Sequence, residues 1–512
     1  MAQKRLAILF KGDRPQAWIL AFVLLSLLAV YLPHVGRGFV TDDFIWLRES
    51  VHDGRIDLPR LFSTTTGFFR PLVGLSFGLQ FLWHGIDPRA YGLFNLLLHL
   101  LNVILVFLLL RSWERTKPLA AWGAAFFALN LKAAGMAVGW ISGRSELLFS
   151  FFLLLAFWSF LNAMREAAAH LRAARYLLCM TFYLAALLSK ETAVAAPLFI
   201  FLFAFLNTRS GSHSDTIFKK FFRCVRAALP FLITLMIYFV LRFQSDAFTP
   251  FNAPAYYRFE FSPLLLLKNI GEYFTRSAAL DILILILIMG FFLFKRNRVE
   301  RHSTAVDRGV IAAGLLWFFC FLLPCLFLRA CSDLYAYLPQ LGLHLAFLAW
   351  LAAYAPFSGL SGPLSEVGPP DQGSFRSWAL VLILFLFGWS VFLGYRARSR
   401  SIQAQASSLF CRSLAKTAQT IGPKKKLLLI VDAHDGEKTA PSAIVSYGLD
   451  AMLHLYVPGK DLRGEFLTLR MARDLRDRDR KESVALIWRN GKVRRFSRQH
   501  RKGPGKTDRQ AD

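Results

Sequence analysis

Apolar runs of membrane-crossing length recur from residue 17 to residue 395 of this 512-residue chain. Segments such as AWILAFVLLSLLAVYLP and DILILILIMGFFLF approach or exceed the ~20 residues that cover ~30 Å of hydrocarbon. With 55% hydrophobic and 18% charged residues, the chain has more long apolar sequence than a soluble domain needs. The expected fold class is therefore mainly α: a polytopic transmembrane helix bundle of about 11 spans, with a large first extracytoplasmic loop and a small C-terminal α/β appendage. The first run is not followed by a small-residue cleavage pattern, so it reads as a retained span and not as a signal peptide.

The formal charge of +28 raises the question of nucleic acid. The basic residues sit mostly in short runs between apolar segments, where they act as topology signals for the cytoplasmic face. A nucleic-acid surface would interleave a basic patch with exposed aromatics, a pattern this chain lacks. The 50 Phe residues suit lipid-facing and packing positions. Six cysteines (Cys179, Cys224, Cys320, Cys325, Cys331 and Cys411) show neither paired nor metal-type spacing, so no disulfide is inferred.

Lys4, Arg5, Lys11 and Arg14 hold the N-terminus in the cytoplasm and send the end of the first span outside. Residues 37–70 then form a long polar loop. The following PLVGLSFGLQFLWHG is too short and Gly-rich to span, and reads as an interfacial helix. Further spans are expected near 92–111, 119–139, 145–163, 227–243, 278–294, 309–328, 336–354 and 377–395. Two shorter runs, 176–188 and 193–206, flank SKET. The basic stretches at 111–117, 165–175, 209–226 and 295–301 alternate with these spans and place SKET at the outer surface. No internal repeat is evident. Residues 1–395 form the expected membrane domain, 396–500 a small extracytoplasmic α/β domain, and 501–512 a disordered basic tail. In the second, KKLLLIVDA, GEFLTLRMA and SVALIWRNGKVRRF read as strands, with Asn490-Gly491 as a two-residue hairpin turn. AIVSYGLDAMLHLYV reads as a helix.

Five groups of residues could carry chemistry. Asp42 and Asp43 follow the first span; adjacent carboxylates repel, so one holds its proton to higher pH. One could then serve as general base toward an acceptor hydroxyl, although a solvated turn explains two neighbouring acids as well. Arg144 and Glu146, in GWISGRSELL, could grip a phosphate through the guanidinium or simply form a local pair. Lys190 and Glu191 lie between short apolar runs, where ionisable groups cost ~2.5–3.5 kcal/mol each and commonly mark a cavity; they could equally neutralise each other. Asn95, His99 and Asn102 share one helical face, which helix–helix hydrogen bonding explains better than a ligand. In RACSDLYAYLPQLG, Arg329 and Asp333 could pair, with Tyr335 and Tyr337 in the aromatic belt. By the charge-derived topology four of the five groups fall on the extracytoplasmic side, suitable equipment for an anionic lipid headgroup and a sugar.

The order TDDF, FFRPLVGLSF, NLLLHLLN, WISGRSELL, LLSKET and YAYLPQLG resembles the membrane glycosyltransferases of the GT-C superfamily. It is most similar to bacterial relatives of the transmembrane O-mannosyltransferases that carry tetratricopeptide repeats, over about residues 15–355. The resemblance implies transfer of a sugar from a polyprenyl-phosphate carrier to a lipid, polysaccharide or protein acceptor outside the cytoplasm. It implies Asp42 and Asp43 as catalytic residues, and Arg70, Arg144, Glu146, Lys190, Glu191, Arg329 and Tyr337 as binding residues for the donor phosphate and sugar. The implied location is the bacterial inner membrane, with the active site facing the periplasm or exterior. Two departures stand out: NLKAAGMAVG has Met136 where an acid is expected, and the C-terminal region has no tetratricopeptide pattern. No convincing ligand set for a divalent metal appears, and metal assistance is left open by the sequence. The rival readings are a transporter or flippase of a lipid-linked or phosphorylated compound, and a membrane scaffold presenting the C-terminal domain. The absence of an inverted repeat and the gathering of acids at one face weigh against transport.

Overall fold

The computed structural model describes residues 14–36, 38–52, 54–63, 67–207, 217–248, 253–284, 286, 307–354, 388–389, 392–395, 405–422, 426–431, 449–458, 460, 462–468, 483–489 and 492–495. Helices dominate, because in hydrocarbon the backbone must satisfy its own N–H and C=O groups. Helix α1 (Arg14–Tyr31) is the first span. The loop after it folds into two short helices, α2 (Asp42–Ser50) and α3 (Leu58–Ser63). Helix α4 (Pro71–His84) begins with Pro, whose missing N–H falls where no helical partner exists. It buries Val73, Phe77 and Gly78 and exposes Leu82 and Trp83, the two-sided character expected of an interfacial helix.

Helix α5 (Pro88–Arg111) starts at Asp87, whose carboxylate accepts from the Arg89 amide. The expected span over 119–139 is broken in the structure. It consists of α6 (Ala120–Ala128) and α7 (Ala133–Gly139), bent by 60°. Asn130 is the cause. Its Oδ1 accepts from the Lys132 and Ala133 amides in the turn that leads into α7, while its Nδ2 donates to the Arg276 and Ser277 carbonyls. The bundle continues with α8 (Arg144–Arg165), α9 (Ala169–Leu187), α10 (Ala196–Asn207), α11 (Ile217–Phe243), α12 (Pro263–Ser277), α13 (Arg308–Leu326) and α14 (Gln340–Tyr354). Helices α13 and α14 cross in backbone contact at Gly314 and Gly342, where a Cβ on either glycine would meet the other's carbonyl.

Five described segments are long and apolar enough to cross a membrane: Pro15–His34, Pro88–Arg111, Ile141–Arg165, Ile217–Phe243 and Arg308–Leu326. The bent pair makes a sixth when counted as one span. The expected spans at 278–294 and 377–395 lie mostly outside the described residues, as does the expected basic tail. The helix directions bring Arg70, Arg144 and Lys190 to one end of the bundle and Arg111, Arg165 and Arg223 to the other.

The stripe Asn95, His99 and Asn102 joins helices, as its spacing suggested. Asn95 donates to the Trp140 and Ile141 carbonyls, and Asn102 donates to the Leu147 carbonyl. His99 Nε2 faces the Ala128 carbonyl, which can only accept, so Nδ1 is the nitrogen that accepts from Tyr337. The Tyr337 hydroxyl in turn accepts from Asn102.

Residues 405–419 form helix α15. The appendage beyond it holds β1 (Lys426–Val431), α16 (Leu449–Tyr456), β2 (Arg463–Thr468), β3 (Ser483–Arg489) and β4 (Lys492–Arg495). The sheet order is β2-β1-β3-β4, with β1 parallel to both β2 and β3. Strands β3 and β4 pair antiparallel with Arg489 opposite Lys492, the hairpin register expected for a two-residue turn. Helix α16 packs on α2, where Tyr456 meets Phe44 at 6.4 Å between ring centroids. The Ser407 hydroxyl of α15 donates to the Phe39 carbonyl at 2.5 Å. The appendage therefore rests on the first loop.

Candidate active site

The first loop turns into α2 at Thr41, which adopts φ 45° and ψ −110°. Positive φ is strained for a β-branched residue and persists only where the surroundings impose it. Directly after it, Asp42 and Asp43 occupy the first turn of α2. Successive helical residues point about 100° apart, so the two acids look in different directions.

Asp43 looks inward. It is fully buried and accepts from the Val40 amide at 2.8 Å, from the Ser142 amide at 2.8 Å, and from the Ser142 hydroxyl. Burial pushes its carboxyl up to about 7, against the pull of those hydrogen bonds. Asp42 is partly exposed and makes no hydrogen bond to its carboxylate among the described residues. Burial raises its pKa, and the Arg70 guanidinium works in the opposite direction.

Arg70 precedes α4 and forks onto Glu191. Its Nε donates to Oε2 at 2.9 Å and its Nη2 to Oε1 at 2.5 Å. The guanidinium also lies 4.4 Å from the Phe68 ring centroid. Burial opposes the Arg70 charge, but Glu191 outweighs it and holds the guanidinium above its ordinary value. Burial likewise opposes the Glu191 charge, and Arg70 overcomes it, bringing that carboxyl down to about 2. Beside this pair, Lys190 forms an ion pair with Glu146, both side chains being 2% exposed. The Lys190 ammonium stands 4.6 Å from the centre of the Tyr335 ring.

The partners differ from those the sequence suggested. Lys190 and Glu191 do not neutralise each other. Lys190 is extended, at φ −161° and ψ 135°, and consecutive side chains of extended backbone point to opposite sides. Arg144 does not pair with Glu146, because residues two apart on a helix do not face each other. It is instead an internal brace, fully buried, with Nε donating to Asn95 Oδ1 at 3.1 Å and Nη2 to the Tyr91 carbonyl at 3.3 Å. Its guanidinium lies 4.3 Å from the Phe77 ring and 4.8 Å from the Phe94 ring. Arg329 pairs with Glu260 at 2.5 Å, not with Asp333, which pairs with Arg276 at 2.5 Å. Tyr337 is spent on the His99–Asn102 network.

The structure thus brings together Asp42, Asp43, Arg70, Glu146, Lys190 and Glu191; Arg144 and Tyr337 stand beside that group, within electrostatic reach of Asp43 and Glu146, and Arg329 is engaged elsewhere by Glu260. Sequence reasoning did not single out Ser142, although its place in WISGRSELL was the available signal. Tyr335 was noted only as a belt aromatic. Among the described residues, no cluster of three or more His, Cys, Asp or Glu side chains is placed to hold a metal ion.

An acidic helix set against the ends of a bundle, with ion-paired cations beside it, sits on a known scaffold. The chain has the fold of the GT-C membrane glycosyltransferases. The crystal structure of ArnT from Cupriavidus metallidurans, bound to undecaprenyl phosphate, is similar with a TM-score of 0.51 and 15% identity, over 92% of this chain and 93% of that one. In sequence, the chain is 32% identical over 215 residues to the protein O-mannosyl-transferase Tmtc1 of Drosophila melanogaster. That match covers 39% of this chain and spans only 23% of the fly protein's length. The apo oligosaccharyltransferase of Archaeoglobus fulgidus overlays with a TM-score of 0.49 and 11% identity, over 85% of this chain and 64% of that one. No protein-family profile matches the chain.

Proposed function

We propose that the protein is a membrane glycosyltransferase that moves a sugar from a polyprenyl-phosphate carrier to an acceptor outside the cytoplasm. The observation that carries this reading is the relation of Asp42 to Arg70. A carboxylate without a hydrogen bond of its own lies within the field of a guanidinium whose Nε and Nη2 are engaged by Glu191. The remaining N–H donors of Arg70, both on Nη1 and the second on Nη2, make no hydrogen bond among the described residues and are the ones a phosphate oxygen would take.

In this reaction the acceptor hydroxyl oxygen attacks the anomeric carbon of the donor sugar. The bond from that carbon to the phosphate oxygen breaks, and its electron pair leaves with the phosphate. The hydroxyl proton passes to Asp42. Asp43 fixes the angle at which Asp42 is presented, through Ser142. Arg70 and Lys190 supply positive charge where the leaving phosphate gains negative charge, the place where fixed cations lower a barrier most. The two carboxylates Glu191 and Glu146 hold those cations in position. The positive-inside rule, applied to the basic ends of the helices, supports a cytoplasmic side there and an outer-face position for Asp42; the membrane in this reading is a bacterial inner membrane. The acceptor is a glycolipid, polysaccharide or protein.

The test is reconstitution of the purified full chain with radiolabelled polyprenyl-phosphate sugars and envelope acceptors. Label should leave the carrier and appear on an acceptor, and Asp42→Asn should stop it. A fully active Asp42→Asn, Asp43→Asn double variant would remove the mechanism. Movement of intact donor across the bilayer, with no bond broken, would replace it with transport.

A further inference from the structure

A cavity lies in the half of the bundle away from Asp42. It has a volume of about 530 Å³, is partly open, and is lined by residues of α5, α8, α10, α11, α13 and α14. Its depth is aromatic: Phe157 and Trp317 meet at 5.4 Å between ring centroids, and Phe199 and Trp317 at 5.0 Å. Its other end carries Arg165, from the last turn of α8, and Arg223, from the first turns of α11. Arg165 also donates to the Ser112 carbonyl, which fixes its position there. None of the residues of the candidate active site lines this cavity.

The volume falls in the ~300–1,000 Å³ range of small-molecule sites. Water-soluble metabolites need several converging polar groups, and the aromatic depth offers none. Hydrocarbon fits that depth. Two guanidinium groups at the other end complement an anionic headgroup, so the occupant is an amphiphile with its charge at the end marked by Arg111, Arg165 and Arg223. The positive-inside rule assigns that end to the cytoplasmic leaflet, where basic pockets between membrane helices receive anionic lipid headgroups. The carrier of a sugar donor is disfavoured here, because its phosphate belongs at the opposite end, next to Arg70.

We propose that this cavity holds one anionic phospholipid of the cytoplasmic leaflet, an acyl chain lying among Phe157, Phe199 and Trp317 and the phosphate against Arg165 and Arg223. The choice of a membrane phospholipid over the sugar carrier rests on the reading of Arg70 as the donor-phosphate site, whereas the cavity and its two arginines do not.

The test uses the full chain in phosphatidylcholine nanodiscs containing a trace of phosphatidylglycerol with a photoactivatable acyl chain. Cross-links should map to peptides containing Phe157 and Trp317. Unlabelled phosphatidylglycerol should compete better than phosphatidylcholine by about tenfold or more, the scale that two basic groups near an anionic headgroup provide. Arg165→Gln with Arg223→Gln should abolish that preference, and Arg165→Lys with Arg223→Lys should keep it. Should the glutamine variant fail to fold, Ala227→Trp, which fills the cavity from α11, should block the cross-link on its own. Equal competition by phosphatidylcholine would overturn the proposal. So would stronger competition by undecaprenyl phosphate, or labelling unchanged by Ala227→Trp.

Discussion

Asp43 and Ser142 lie 99 positions apart and are joined twice, the carboxylate accepting from both the amide and the hydroxyl of the serine. The first loop is thereby fastened to the turn that opens α8. Because Asp42 sits next to that fastening but points elsewhere, substitutions at the two acids should have different effects. Asp43→Asn places an amide donor against the Val40 or Ser142 amide, leaving a buried group unsatisfied at ~1–3 kcal/mol. A lowered Tm should accompany its loss of transfer. Asp42→Asn should keep the wild-type Tm and lose transfer by ~10²–10⁴-fold, the range for a general base. Thermal unfolding in detergent, run beside the transfer assay, separates the two.

The Lys190–Glu146 pair should behave as a buried unit. Removing one partner strands a charge, a loss of ~3–5 kcal/mol for such pairs, while replacing both with apolar side chains is often close to neutral. Lys190→Met alone should therefore unfold early, and Lys190→Met with Glu146→Leu should recover most of the stability. Transfer should remain low in the double variant, because the cation proposed to face the leaving phosphate is gone. A double variant as active as the wild type would limit Lys190 to a structural role.

Arg70→Lys keeps the charge but gives up the two-point grip on Glu191. A lysine presents a point charge in place of a planar fork. The expected result is a raised KM for the lipid-linked donor with a smaller change in kcat at saturation. A kcat loss with KM unchanged would show instead that Arg70 acts only in the transition state.

The pH dependence has a defined sign. Asp43 is raised by burial to about 7, against ~3.9 in an unfolded chain. The folded protein therefore binds the extra proton between those values, and this group's contribution to stability declines as pH rises from ~4 to ~7 and is level beyond. Glu191 is the reverse. Burial opposes its charge, but Arg70 brings it down to about 2, so its contribution is present above ~4.3 and lost as pH falls from there. Transfer should climb with pH toward neutrality as Asp42, raised by burial, and Asp43, raised by burial to about 7, give up their protons. Ser142→Ala removes a hydrogen bond that lowers the Asp43 value, so the climb should move to higher pH. A pH–rate profile unmoved by Ser142→Ala would separate the titration from this loop.

The long apolar runs, the acidic first loop, the short helix that follows it and the terminal hairpin were all legible in the sequence, because each is a local pattern with its own period or turn chemistry. Pairing was not. Lys190 and Glu191 are neighbours in the chain and diverge because the backbone there is extended; Arg144 and Glu146 diverge because of helical geometry. Both could have been anticipated from local rules, but the identities of the distant partners, Glu146 for Lys190 and Arg70 for Glu191, are set by how helices pack. The break at Asn130 was hidden for a similar reason. One polar residue in an apolar run is tolerated in a span, and only the carbonyls at the end of α12 make it a corner.

The loop bearing the proposed base is held from two sides, by Ser142 from the bundle and by Ser407 and Tyr456 from the C-terminal appendage. A chain cut short after the last span would keep the first of these restraints and lose the second. It should still insert and retain its lipid-facing core, yet carry Asp42 on a segment free to rock. On this geometry the appendage is a lever arm: whatever docks on it is felt at the proposed base through the packing of α16 on α2 and the hydrogen bond from Ser407 to Phe39.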